Sequence, residues 1–105
     1  MRLILDMTQV TCTVTKNAEP RRDYGKTEQR MDKSGRPQWV LEVLAQDAER
    51  GEVIRVTVTG DQPRMTVGQH VRFDALEAVP WSNNGKAGVA YRADAVHAAP
   101  GTKAA

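Results

Sequence analysis

The chain has 105 residues and a mass of 11.6 kDa, enough for one domain and one core. A hydrophobic fraction of 40%, a charged fraction of 27% and a mean hydropathy of -0.54 describe an ordinary globular chain rather than a disordered one. No apolar run approaches the roughly 18–20 residues of a membrane span or the h-region of a signal peptide, so a cytoplasmic protein with no membrane partner is expected.

From Thr8 to Lys16 the pattern alternates strictly, with Val10, Cys12 and Val14 on one side and Thr11, Thr13 and Thr15 on the other. That is a half-buried strand of β-branched residues. Asn17 to Lys26, with Pro20, Gly25 and several charges, reads as a loop, and a second extended piece is expected over Thr27 to Asp32. Lys33-Ser34-Gly35-Arg36 supplies hairpin chemistry, because Gly35 can take a positive φ. Gln38 to Asp47 is the clearest strand, its apolar face formed by Trp39, Leu41, Val43 and Ala45. Val40 and Leu44 lie on the opposite face, so either the sheet curves over them or a second copy covers them. A twofold homodimer is the expectation.

Glu52 to Gly60 is the next strand, with Ile54, Val56 and Val58 against Arg55, Thr57 and Thr59. Beyond the break at Asp61-Gln62-Pro63 the chain extends again, with Val71, Phe73 and Ala75 in phase. Leu76 to Trp81 shifts that phase through a bulge or bend. Ser82 to Lys86 reads as a mobile polar loop, and Gly88 to His97 as the last strand. Residues 1–97 then form a single domain and 98–105 a flexible tail. Trp39, Leu41, Val43, Ile54, Val56, Val58 and Phe73 are the predicted core. No long helix is predicted. Five or six strands in one small domain must manage their edges. An all-β, five- to six-stranded OB-like Greek-key barrel does so by closure, with an SH3-like barrel as its competitor.

Catalysis finds little support: there is no phosphate loop, nucleophile elbow or pair of carboxylates in an apolar setting. Cys12 reads as a buried core thiol. Being alone, it excludes an intrachain disulfide, and with His70 and His97 it makes no zinc cluster. No enzyme, cofactor or metal is expected.

The net charge of +2 is too small to name a partner, but its distribution is uneven. Residues 16–36 carry seven bases against four acids. Single-stranded nucleic acid is held by cations that track phosphates and by rings on which bases stack. Of five aromatic residues, Tyr24 lies among Arg21, Arg22 and Lys26, and Trp81 opens the Ser82–Lys86 loop; these two are the stacking candidates. Phe73 reads as core, Tyr91 as core or core rim, and Trp39 as core with a stacking platform as the alternative. Arg30, Arg36, Arg55 and Arg92 lie on polar strand faces. In an OB barrel the second and third strands and the loops between strands 1–2 and 4–5 form the binding surface. The predicted contacts to DNA are Arg21, Arg22, Tyr24, Arg30, Lys33, Arg36, Arg55, Trp81 and Lys86.

The run Asp32-Lys33-Ser34-Gly35-Arg36-Pro37-Gln38-Trp39, followed by Val43 and Asp47, resembles the D-x-x-(T/S)-G-x-P-x-W…V…D core of a family from actinobacterial integrative plasmids. Its members are described as plasmid replication, integration and excision activators. Val67-Gly68, Phe73, Leu76, Pro80-Trp81 and Ala90-Tyr91 are similar to the later part of that pattern, so the likeness spans Thr27 to Val96. A weaker resemblance is to the helix-destabilising single-stranded-DNA-binding proteins of filamentous phages, homodimers with OB-like barrels. Their DNA-contacting tyrosine just after the proline is Gln38 here. These resemblances imply a mobile-element protein that binds single-stranded DNA as a homodimer, possible partners being replication or recombination proteins. The rival expectation is a regulatory adaptor that recruits a replication initiator or integrase without touching DNA.

Overall fold

The computed structural model describes residues 3–22, 25 and 27–99. Eight strands form one sheet: β1 (Leu3–Ile4), β2 (Thr11–Pro20), β3 (Gln38–Gln46), β4 (Gly51–Thr59), β5 (His70–Asp74), β6 (Glu77–Asn83), β7 (Lys86–Ala93) and β8 (Ala95–Ala98). Their order is β1-β6-β7-β4-β3-β2-β5-β8, antiparallel throughout except for β4 beside β7. The all-β expectation holds. Among the described residues there is no helix, so none is long and apolar enough to cross a membrane.

The sheet curls for reasons written in the chain. In β2 the register against β3 slips twice, between Val14 and Lys16 and again between Lys16 and Glu19. Each slip inserts an extra residue, and such bulges bend and twist a strand. They also carry β2 on to Pro20, correcting the expectation of a loop from Asn17. Farther on, Ala75 holds a φ of 52° between β5 and β6, and the Asp94 amide, between β7 and β8, donates to the Asp74 carbonyl at 2.9 Å. Pairing keeps one frame across this bend, from Val71 opposite Ala98 to Asn83 opposite Lys86. Two long strands are thus each broken once, which is why eight segments appear where five or six were expected. Since β5 pairs with β2 and β7 with β4, the sheet turns back on itself into a barrel-like shell.

The core fills that shell. Cys12, Val14, Leu41, Val43, Ile54, Val56, Val58, Val71, Leu76 and Ala93 are buried together. The alternation of β3 and β4 predicted five of these, but Trp39 is only half-buried and Phe73 packs at the core's margin. Val89 is 49% exposed and Tyr91 half-buried, so the inner face of β7 ends at Tyr91. Burial without a partner cation raises the Cys12 thiol above its ordinary pKa.

Three further expectations are corrected. Thr27 to Asp32 forms no strand, only isolated bridges of Arg22 with Gln29 and Met31 with Pro37. The Ser82–Lys86 loop is instead a tight two-residue turn, Asn84 and Gly85 having φ values of 53° and 79°. Those left-handed values match the turn that continues strand twist. Ala98 belongs to β8 rather than to a tail, and the Ala99 amide donates to His70 O. Residues 100–105 and Tyr24 lie outside the described residues.

Candidate nucleic-acid interface

The loop joining β2 to β3 is folded by its own backbone. Arg21 N donates to Gln38 O, Gln38 N to Arg30 O, and Arg30 N to Arg21 O, closing a ring of three residues distant in sequence. The Gln29 side-chain amide also donates to Gln38 O at 2.8 Å. At the tip, one Asp32 carboxylate oxygen accepts the amides of Ser34 and Arg36, while Gly35 takes a φ of 82°. These amide bonds, above all that from Arg36, hold the Asp32 carboxyl below its ordinary pKa. The turn expected at Lys33–Arg36 is present, closed by the isolated Met31–Pro37 bridge rather than between two strands.

This loop forms one wall of an open groove of about 700 Å³. Its floor is the outer face of β4 and β7, including Thr57, Thr59, Ala90 and Arg92, and Arg21, Arg30 and Arg36 enter from the loop. Arg21 Nη1 reaches Thr57 Oγ1 at 3.3 Å, tying wall to floor. Arg36 pairs with Asp32 at 3.2 Å. Arg92 makes a forked pair with Glu77, at 2.9 and 3.2 Å. Glu77 is only 4% exposed, so the outward-facing Arg92 compensates a carboxylate that is otherwise costly to bury. Gln38 Oε1, shielded in the groove wall, accepts no hydrogen bond. Four guanidinium groups set against Asp32, Asp94 and the buried Glu77 leave the groove a small cationic excess, and their planar forks can donate to two oxygens of a phosphate.

The predicted site residues divide by position. Arg21, Arg30 and Arg36 meet in the groove. Arg55 lies on the same outer face of β4 but opposite Glu42, beyond the groove's lining. Arg22 is turned to its own loop, where Nε donates to Thr27 O at 2.8 Å. Lys33 is exposed at the turn's tip and is not part of the groove's lining. Trp81 and Lys86 sit farther along the β6–β7 hairpin, opposite Gly88 and Asn83. By strand alternation both share the face that carries Val79, Ala90 and Arg92 into the groove.

Arg92, Gln38, Thr57 and Thr59 complete the site, and only the alternating polar face of each strand hinted at them. Their meeting depends on the parallel pairing of β4 with β7, which joins Thr57 to Arg92 across 35 residues of sequence and has no local signature.

No family model matches this chain, and no curated protein or solved structure is significantly similar to it.

Proposed function

We propose that this protein is a single-stranded-DNA-binding, OB-like barrel of a mobile element, holding DNA by phosphate neutralisation and base stacking. The observation that carries the reading is the convergence of Arg21, Arg30, Arg36 and Arg92 on one groove across β4. If β5–β6 and β7–β8 are each counted as one bent strand, the main barrel has five strands. In that count the groove lies over strands 3 and 5 and is walled by loop 1–2, beside the face of strands 2 and 3 and the loops 1–2 and 4–5 that OB barrels use. The plasmid-family likeness supplies the mobile-element setting, in replication, integration or excision. A homodimer is part of the proposal, with the outer face at Leu44 and the 54% exposed Val53 as its contact.

The test is a fluorescence-anisotropy titration of labelled single- and double-stranded oligonucleotides at two salt concentrations. Engagement of three or four phosphates gives a slope of log affinity against log salt of about −2 to −3 for a single strand. Single-stranded DNA should bind more tightly than duplex of the same length. A folded protein with no affinity for either overturns the reading in favour of an adaptor that recruits a replication initiator or integrase.

A further inference from the structure

The geometry points to a base-stacking platform on the outer arm of the β6–β7 hairpin: Gly88 positions the indole of Trp81 to take one nucleobase of a strand leaving the arginine groove. This deepens the single-stranded-DNA reading of the groove and rests on it.

Trp81 and Gly88 are register partners across the hairpin. A Cβ built on Gly88 would lie 2.7 Å from Trp81 Cζ2 and 2.9 Å from Cε2, closer than real contacts allow. The indole therefore fills the space in which any other residue's side chain would begin. Backbone conformation does not demand this glycine, since Gly88 is not among the residues with positive φ. Glycine inside a strand weakens pairing, and what it offers in return is close approach. Here the approaching group is the ring.

The ring is anchored and still 47% exposed. An aromatic surface already fixed against backbone loses little freedom when a base stacks on it, so more of the contact appears as affinity. Its location fits the same strand of DNA. Glu77–Arg92, Val79–Ala90, Trp81–Gly88 and Asn83–Lys86 are successive same-face pairs along the hairpin. Arg92, Val79 and Ala90 line the groove, and the ring follows next. From the Arg92 row to the ring is about 13 Å at about 3.3 Å per residue. That spans about four stacked nucleotides at about 3.4 Å each. Lys86 lies beyond the ring on the same face, available to a further phosphate.

The test titrates a single-stranded oligonucleotide of about eight nucleotides, its abasic counterpart and a dinucleotide against folded wild type, Trp81→Ala, Gly88→Ala and the double variant. Each single substitution should weaken binding of the longer oligonucleotide about tenfold, equivalent to about 1.4 kcal/mol, without changing the salt slope. The double variant should bind no more weakly than Trp81→Ala, because Gly88 acts only through the ring. Binding of the abasic strand and the dinucleotide should be unaffected. Should Gly88→Ala not fold, Trp81→Phe carries the test, its affinity falling between those of wild type and Trp81→Ala. The platform is overturned if folded Gly88→Ala binds as wild type does, if the two losses add, or if the abasic strand loses as much. The ring would then be a prop for strand pairing over a glycine. Wild type that binds no oligonucleotide overturns the groove reading and the platform together.

Discussion

Arg21 crosses from the end of β2 to the floor of the groove, where its Nη1 donates to Thr57 Oγ1 at 3.3 Å. That contact fixes one wall of the cationic groove against the strand beneath it. It also divides the arginines of this surface into two groups. Arg30 and Arg36 stand on the loop that Arg21 tethers, whereas Arg55 lies outside the groove opposite Glu42.

Charge reversal should respect that division. Arg30→Glu combined with Arg36→Glu should abolish most single-stranded-DNA affinity and flatten its salt dependence, because two phosphate partners become repulsive. Arg55→Glu should have a far smaller effect. Anisotropy titrations at two salt concentrations decide it, and equal losses from both variants would mean that the DNA path does not follow the groove.

The strands were legible where one face is buried. Ile54, Val56 and Val58 alternate with Arg55, Thr57 and Thr59, Leu41 and Val43 keep the same period although Val40 and Leu44 lie opposite them, and the structure buries all five. The Asp32–Arg36 turn was legible through its chemistry, and the bend before Leu76 through a phase shift. The bulges in β2 were not, because a polar run ending in proline has the composition of a loop. Half of the site shared this fate. Three arginines near one another in sequence could be grouped by eye, but Arg92 joins them only through a parallel pairing that the whole barrel must close to form.

Leu41 is fully buried and Phe73 only partly so, which ranks their contributions. Leu41→Ala should cost about 2–5 kcal/mol through lost transfer energy and an unfilled cavity. Phe73→Ala should cost less than the about 3–5 kcal/mol usual for a fully buried ring. Urea denaturation measures both. A larger loss at Phe73 than at Leu41 would place the centre of the core elsewhere.

Acid should loosen both ends of β3. Asp32 accepts the Ser34 and Arg36 amides, and Asp47 accepts those of Glu49 and Arg50. These bonds hold both carboxyls below their ordinary pKa. A lowered folded-state pKa means that each carboxylate stabilises the fold above its unfolded value of about 3.9. That contribution disappears as pH falls through the lower, folded value. Thermal midpoints should therefore be flat near neutrality and drop below about pH 4. Asp32→Asn with Asp47→Asn should reduce the drop, and an unchanged acid profile in that variant would assign it to other groups.

Leu44 and Val53 are register partners on the outer face of β3 and β4, and Val53 is more than half exposed. If this face joins two copies, Val53→Glu should convert a dimer to a monomer in light scattering at tens of micromolar (about the range where weak dimers form) without lowering the thermal midpoint of the monomer. Wild type that is monomeric under those conditions removes the homodimer from the proposal.

Ala75 sits at the break between β5 and β6 with a φ of 52°, a conformation that suits glycine and penalises a Cβ. The frame of pairing continues on both sides, from Asp74 opposite Ala95 to Glu77 opposite Arg92, so the bend is built into one long hairpin. It lets the chain pair with β2 at one end and reach the groove at the other. Ala75→Gly should therefore keep the fold and raise its stability by up to about 1 kcal/mol, the relief of left-handed strain offset in part by a more flexible unfolded chain. Ala75→Val should act in the opposite direction and more strongly, because a β-branched side chain fits that φ poorly. Thermal and urea unfolding of the two variants measure the difference. If Val is tolerated as well as Gly, the bend lies at another residue, and the path from β2 to the groove does not depend on a left-handed Ala75.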